Sequence, residues 1–120
     1  MNKLLNYLGL AKRAGKLVQG TDAVLKNLRS KQTYLMFVAS DASDATKEKV
    51  DKKGLFYNIP VIENYSTDEL SKALGEQNIK VIAINDIGFT KAIMKELQEV
   101  TNNESQRISW YSKNINPRIT

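Results

Sequence analysis

Apolar side chains recur along this chain at two spacings, and segments of the two kinds alternate as far as about residue 100. In the first kind they lie three or four residues apart, the spacing that places them on one face of an α-helix. The earliest set is Leu4, Leu5, Leu8 and Ala11. This spacing, together with a charged stretch after residue 43, predicts helices at about 2–14, 22–30, 44–57, 67–74 and 89–100.

The second kind of segment is a short, unbroken run of apolar residues, typical of a strand that is buried on both faces of a sheet. Such runs predict strands at 34–39, 59–62 and 81–84, with a shorter extended piece at Leu17 and Val18. Pro60 suits the start of a strand or an edge strand. Strands that alternate with helices predict an α/β domain in which helices cover both faces of a small sheet.

Local signals mark where several of these helices begin or end. Gly15 and Gly75 follow helical segments and are expected to end them. Ser66 and Glu69 have the spacing of a capping box, in which each side chain accepts a hydrogen bond from the other residue's backbone amide. Thr21, which follows a glycine, is the expected N-cap of the second helix.

The alternating pattern ends near residue 100, so one domain is expected over 1–100 and a polar tail over 101–120. The tail contains Trp110 and Tyr111 among polar and basic residues. It is interpreted either as a flexible or loosely packed end or as an aromatic and basic patch that stacks on nucleic-acid bases.

The composition narrows the chemistry that the chain can perform. Cysteine and histidine are both absent, which excludes disulfides, thiolate catalysis, and the commonest general base and metal ligand. Asp41 and Asp44 follow a buried strand and could hold a magnesium ion through waters, but aspartates that shape a loop or begin a helix give the same pattern. A carboxylate hydrolase remains a third hypothesis. The main expectation is a protein that is not an enzyme and uses no cofactor or metal.

The chain has no run of about 18 apolar residues, so no transmembrane helix is expected. Its N-terminal apolar stretch precedes the basic residues, which is the reverse of the order in a signal peptide. A cytoplasmic protein is therefore expected. No feature of the pattern requires a dimer, so a monomer is expected.

The net charge of +5 is distributed unevenly. Residues 1–31 contain seven basic side chains and one acidic side chain, whereas the other 89 residues contain 11 basic and 12 acidic ones. This concentration of positive charge favours an anionic partner such as nucleic acid. The alternative is a solvated basic face that only maintains solubility.

The most informative part of the basic segment surrounds Gly20. A glycine turn there would present the free amides of a helix N-terminus, which attract phosphate. Lys26 lies four residues after Asp22 on one side of that helix and could reach a phosphate or a guanine edge. The structural alternative is that Asp22 favours the helix dipole and pairs with Lys26. Phosphate contacts are predicted for Arg13, Lys16 and Arg29.

Three ordered segments of the chain resemble the L7Ae/L30e family of ribosomal proteins. They are LGLAKRAGKLVQGTDAVLKNLRS, LMFVASDAS and LGEQNIKVIAINDIGFTKAI, and the resemblance extends from about Leu4 to Leu97. It implies a three-layer α-β-α sandwich around a mixed four-stranded sheet. It also implies binding to RNA, usually to kink-turns, whose tandem sheared G·A pairs expose guanine edges in an opened groove that a protein can read.

The resemblance further implies which residues contact RNA. Family members carry a Gly-x-Asn-Glu-x-x-Lys pattern, which Gly20, Thr21 and Lys26 match. Asp22 replaces the usual asparagine and Ala23 replaces the usual glutamate, so one donor and one acceptor for the RNA are lost. Two further loops supply Asp41 and Ala42, and Gln77, Asn78 and Ile79, of which Ile79 is equally consistent with a core position.

These observations lead to two main hypotheses. The first is a non-catalytic RNA-binding protein, associated with the ribosome, that recognises structured, kink-turn-like RNA. The second is a protein–protein interaction module that keeps the same fold and binds RNA only non-specifically, which is consistent with the changes at Asp22 and Ala23.

Overall fold

The computed structural model describes residues 3–30 and 32–103 of the chain. Within them the elements follow the order that the apolar pattern predicts. They are α1 (Lys3–Arg13), β1 (Leu17–Gln19), α2 (Thr21–Ser30), β2 (Leu35–Val38), α3 (Asp44–Tyr57), β3 (Val61–Ile62), α4 (Thr67–Leu74), β4 (Val81–Ile84) and α5 (Ile87–Asn103). None of the helices in this part of the chain is long and apolar enough to cross a membrane.

The four strands form one mixed sheet in the order β1-β4-β2-β3. Strand β4 runs antiparallel to both of its neighbours, β1 and β2, whereas β2 and β3 are parallel. Every residue of β2, β3 and β4 is buried, which explains why these strands read as unbroken apolar runs rather than as alternating patterns. The predicted α/β class and the mixed four-stranded sheet are confirmed.

Helices cover both faces of the sheet and complete a three-layer sandwich. Helix α1 packs against α4 and α5 in one helical layer, while α2 and α3 contact each other in a second layer. The predicted inner face of α1 is buried, with Leu8 and Ala11 fully inaccessible to solvent. Burial of this apolar surface is the main source of the stability of such a domain.

The capping box predicted at the start of α4 is present. The Ser66 hydroxyl accepts a hydrogen bond from the Glu69 amide at 3.1 Å, and the Glu69 carboxylate accepts one from the Ser66 amide at 3.0 Å. Gly75 ends this helix with a φ of 68°, a left-handed conformation that glycine adopts without steric cost. Both ends of α4 are therefore encoded locally in the sequence.

The prediction that Thr21 is the N-cap of the second helix is wrong. Helix α2 begins at Thr21 itself, and the carbonyl of the preceding residue, Gly20, accepts a hydrogen bond from the Val24 amide at 2.9 Å. Gly20 has a φ of 96°, which disfavours any residue with a side chain. Glycine is an acceptable N-cap, and here the backbone requirement decides which residue takes that position.

Helix α5 is longer at both ends than the predicted 89–100. It begins at Ile87 because the Asp86 carboxylate accepts a hydrogen bond from the Phe89 amide at 2.9 Å and so satisfies a free amide of the first turn. It continues to Asn103, past the predicted domain boundary at residue 100. The predicted polar tail, with Trp110 and Tyr111, lies outside the described residues from position 104 onward.

Gly54 allows α3 to approach the edge strand β3 closely. A Cβ atom at this position would lie 2.8 Å from Cγ2 of Val61 and 2.9 Å from the carbonyl oxygen of Ile59. The Ile59 amide also donates a hydrogen bond to the Gly54 carbonyl at 2.7 Å, so the backbone cannot simply move away. The helix backbone at Gly54 therefore packs directly against the Val61 side chain and the Ile59 carbonyl, with no space for a side chain of its own.

The substitution Gly54→Ala is expected to destabilise the protein by about 1–3 kcal/mol, because the added methyl group overpacks this contact. Helix propensity alone predicts the opposite sign, a gain of about 1 kcal/mol for alanine over glycine. Denaturant unfolding of both proteins measures the difference. A variant more stable than the parent protein would show that α3 and β3 are not in close contact at this position.

Candidate nucleic-acid interface

Three loops that the sequence singles out meet at one end of the sheet. Strands β1 and β2 both run antiparallel to β4, so both end where β4 begins. The Gly20 amide donates a hydrogen bond to the Val81 carbonyl at 2.9 Å, and the Ala39 amide donates one to the Lys80 carbonyl at 2.8 Å. The Gly20 turn, the loop of residues 40–43 and the loop of residues 75–80 are thereby brought together. We call this part of the molecule the Gly20 end of the sheet.

At the Gly20 end, the start of α2 faces solvent. Asp22 and Ala23 are exposed in its first turn, and Thr21 is half-buried. The first amides of a helix have no partner within the helix and carry the positive end of its dipole, which favours an anion. The space around Gly20 is open, since no atom lies within 4 Å of where its Cβ would be. Glycine is therefore needed here for its positive φ, and the backbone stays accessible to a ligand.

Lys26 is exposed one turn further along α2. In the part of the chain that the structure describes, it forms no ion pair with Asp22 or with any other carboxylate. The structural alternative of a pair between Lys26 and Asp22 is therefore not realised. The ammonium group of this exposed side chain therefore remains accessible to an anionic ligand.

Asp41, in the loop after β2, fastens that loop to the start of α4. Its Oδ1 accepts hydrogen bonds from the Thr67 amide at 2.9 Å and from the Thr67 hydroxyl at 2.7 Å. These two hydrogen bonds, aided by the charge of nearby Lys80, lower the pKa of Asp41 below its ordinary value. The neighbouring Ala42 is buried. In this loop, then, Asp41 is accessible to a ligand, whereas Ala42 belongs to the core and is not exposed as a contact.

Of the three RNA contacts predicted in the loop between α4 and β4, two are exposed polar residues and the third is buried. Gln77 and Asn78 are exposed, and Asn78 has a φ of 58°, a left-handed conformation that asparagine tolerates better than most residues. The Ile79 side chain is only 8 % exposed and packs in the core, while its amide donates to the Ser71 hydroxyl at 2.9 Å. The structure thus places Ile79 where it anchors the loop from inside.

Sequence reasoning missed Lys80, the last residue of the loop of residues 75–80. Its Nζ is 3.4 Å from the Thr67 hydroxyl, in the same cluster as the Asp41 carboxylate. Together with Gln77 and Asn78 these groups line an open groove of about 540 Å³. The sequence did contain a signal for Lys80, because it is a basic residue directly before a buried strand and belongs to a loop that is predicted to bind RNA.

A second residue that the sequence did not single out is Lys12. Its Nζ donates to the Leu74 carbonyl at 2.8 Å, at the C-terminus of α4, and forms an ion pair with Glu76. The Lys12 contact, and after it a hydrogen bond from Gln19, lowers the pKa of Glu76. Although Lys12 belongs to the basic N-terminal segment, its charge is used to hold α1 against α4. No local pattern could reveal a partner 64 residues away.

The other predicted phosphate contacts lie away from the Gly20 end. Lys16 precedes β1, and its carbonyl accepts a hydrogen bond from the Asn85 amide where β4 ends, at the opposite end of the sheet. Arg13 is three residues earlier, at the end of α1. Arg29 is in the last turn of α2, remote from Gly20. All three are exposed, but the fold does not gather them around the Gly20 turn.

The Gly20 end consequently has mixed charge rather than uniformly positive charge. Lys26 and Lys80 are accompanied there by Asp22, Asp41 and Glu76. Such a set of donors and acceptors is suited to hydrogen bonds with base edges, which specify a sequence or a shape, more than to general neutralisation of phosphates. Among the described residues, no group of three or more acidic side chains is placed to hold a metal ion.

Comparison with known protein families and sequences also points to an RNA-binding family. Residues 2–94 match the model of the ribosomal protein L7Ae/L30e/S12e/Gadd45 family. The chain is 41 % identical over 97 residues to the RNA-binding protein YlxQ of Enterococcus faecium, which covers 81 % of this chain and 92 % of that protein. It is 36 % identical over 90 residues to the RNA-binding protein YlxQ of Bacillus subtilis (strain 168), a match that covers 75 % of this chain and 90 % of that protein.

Two solved structures share the architecture. A protein of unknown function from Bacillus halodurans C matches with a TM-score of 0.75 and 35 % identity, covering 79 % of this chain and 96 % of that one. The Giardia lamblia 15.5kD RNA binding protein matches with a TM-score of 0.67, covering 82 % and 85 %. Its identity to this chain is 17 %, so this second likeness shows the fold alone.

Replacement of Asp41 by asparagine is expected to lower the free energy of unfolding at about pH 7, by an amount that shrinks as the pH falls below about 4. The folded-state pKa of Asp41 lies below its ordinary value of 3.8, so its stabilisation is present above that value and is lost as the pH falls through the lower one. Denaturant unfolding of both proteins across this pH range measures the effect.

Asp68→Asn is the matched control for this prediction. Asp68 lies in the first turn of α4 and forms an exposed i,i+4 pair with Lys72 at 3.2 Å, an interaction of little value in solution. Its difference from the parent protein should be smaller. A destabilisation by Asp41→Asn that did not change with pH would contradict a role for the ionised carboxylate.

Proposed function

We propose that this chain, which belongs to the ribosomal protein L7Ae/L30e/S12e/Gadd45 family, is a non-catalytic RNA-binding protein that recognises structured, kink-turn-like RNA. The observation that carries the proposal is the convergence of the Gly20 turn, Lys26 and two polar loops at one end of the sheet. Two relatives that share most of their length with this chain are named RNA-binding proteins.

In this proposal the first turn of α2 enters the opened groove of the RNA. Gly20 lets the backbone approach closely, and Lys26 donates to O6 or N7 of a guanine exposed by the sheared pairs. Asp22 accepts from a base amino group but cannot donate, and Ala23 does neither. Affinity for a kink-turn is therefore expected to be lower than the family pattern with asparagine and glutamate would provide.

The loops of residues 40–43 and 75–80 provide a second set of contacts to the RNA. Asp41 and Lys80, held by Thr67, present one acceptor and one donor beside the groove. Gln77 and Asn78 add amide groups that both donate and accept. Because Thr67 and the buried Ile79 fix these loops, the RNA would meet a pre-organised surface and little conformational entropy would be lost on binding.

The proposal extends to the source of the RNA. Since the family includes ribosomal proteins, we propose that the ligand is ribosomal RNA or another structured RNA and that the protein associates with ribosomes in the cytoplasm. Co-sedimentation with ribosomal subunits at low and at high salt tests this association. Absence from every ribosomal fraction at low salt would remove the ribosome from the proposal.

The substitution Lys26→Ala is expected to weaken binding to a kink-turn RNA by about ten-fold or more, equivalent to about 1.4 kcal/mol or more, with no change in melting temperature. The physical reason is the loss of one base or phosphate contact by an exposed side chain that stabilises nothing else. Lys95→Ala is the matched control, because Lys95 is an exposed lysine on α5, in the other helical layer. Equal effects of the two substitutions would mean that only net charge matters.

A titration against three RNAs tests the specificity. The protein is expected to bind a kink-turn at least about ten-fold more tightly than the same RNA with Watson–Crick pairs in place of its G·A pairs, or than a plain duplex. The double substitution Asp22→Asn with Ala23→Glu should strengthen kink-turn binding and leave the other two affinities unchanged. Equal binding to all three RNAs, lost at about 0.2 M salt, would instead favour the protein–protein interaction module.

A further inference from the structure

Two large apolar side chains near the end of α3 are exposed to solvent. Leu55 is 68 % exposed and Phe56 is 76 % exposed, the highest values among the large hydrophobic residues that the structure describes. The inner side of this helix is formed by Val50 and Gly54, so neither side chain belongs to the core. The Phe56 ring lies edge to face with the Tyr57 ring, with centroids 4.9 Å apart and an interplanar angle of 84°, which orients it.

Three lysines share the helical face of Phe56. Lys49, Lys52 and Lys53 precede it by seven, four and three residues, the spacings that align side chains along one side of a helix. Lys52 pairs with Glu48 at 2.9 Å, whereas Lys49 and Lys53 have no carboxylate partner within the described residues. We call Lys49, Lys52, Lys53 and Phe56 the α3 stripe.

The α3 stripe leads away from the Gly20 end of the sheet. Helix α3 begins at Asp44, directly after the loop that carries Asp41, and Phe56 lies about 18 Å further along it at 1.5 Å per residue. Helix α2 begins at the same end and packs beside α3, with Lys26 in its second turn and Arg29 in its last. The exposed face of this layer therefore carries cations along its length, together with the acidic residues Asp22, Asp44 and Glu48.

We propose that the α3 stripe is a second RNA contact, at which a single-stranded segment leaving the Gly20 end stacks a base on Phe56 and places its phosphates beside Lys49 and Lys53. This inference rests on the proposed function, because it assigns the same RNA to both surfaces. An aromatic ring flanked by cations is the combination that binds single strands without sequence preference. Protein-docking surfaces are instead depleted in lysine, which disfavours a protein as the occupant.

The test compares three RNAs that share one kink-turn. The first ends in paired nucleotides, the second has an unpaired extension of about six nucleotides, within the ~4–16 nucleotide range of single-strand sites, and the third has an abasic extension of the same length. The extension is placed at each strand end in turn. Phe56→Ala is expected to lower affinity for the second RNA by about five-fold or more and to leave the first and third unchanged.

Two further substitutions at this position separate stacking from general hydrophobicity. Phe56→Trp should retain the affinity for the extended RNA, because it keeps a flat aromatic surface. Phe56→Leu should lose as much affinity as Phe56→Ala. The melting temperatures of all three variants are expected to match the parent protein, since the side chain is exposed.

Unchanged affinity of Phe56→Ala for the extended RNA would overturn the proposal and leave Leu55 and Phe56 as an anchor for a protein partner. An equal loss on the abasic extension would also overturn it, because no base would then be stacked. Lys26→Ala separates this inference from the proposed function, since it should weaken binding to all three RNAs. If Lys26→Ala changes none of them while Phe56→Ala still weakens the second, the role proposed for Lys26 at the Gly20 end fails, whereas base stacking on Phe56 is supported by itself.

Discussion

The position of strand β4 between two antiparallel neighbours is the constraint on which the candidate interface depends. Because β1 and β2 both end where β4 begins, the Gly20 turn and the loop after Ala39 are brought beside the loop that leads into Val81. Strands β2 and β4 are short and buried on both faces, and β1 is partly buried, so the hydrophobic effect that assembles the sheet also holds the polar loops at its end in fixed positions. Asp41 adds a local lock, because it fastens one of these loops to the start of α4. The side chains that we propose to contact RNA are therefore held by the core, so little conformational entropy would be lost on binding.

The spatial distribution of charge differs from its distribution along the sequence, and the fold explains why. The positive excess of the first 31 residues indicated one basic site around Gly20. In the structure, Lys12 donates a hydrogen bond to the C-terminus of α4. Lys16 lies where β4 ends, at the opposite end of the sheet from Gly20. What remains at the Gly20 end is a mixture of donors and acceptors. In the function we propose, shape-dependent contacts would be made at this end and phosphate contacts by the layer of α2 and α3, so that specificity and affinity would come from two parts of one surface.

Much of the fold could be predicted from the sequence, because periodicity and capping are local properties. Local patterns correctly predict the inner face of α1, the capping box of Ser66 and Glu69, and the buried strands. The sheet order was not, since it depends on pairing between distant segments, and neither was the partner of Lys12. The prediction for Thr21 is wrong because the backbone requirement at Gly20 outweighs the usual preference for a threonine cap. At Ile79 the sequence allowed both a surface and a core position, and only the packing of the loop separates them.

We propose that RNA binds at the end of the sheet where three loops meet. Mapping of backbone amide NMR shifts on addition of a kink-turn RNA without a single-stranded extension tests it most directly. We expect the largest changes at residues 20–26, 40–43 and 76–80, with little change along α1 and α5. Changes concentrated on α1 and α5, or spread evenly over all exposed lysines, would contradict it.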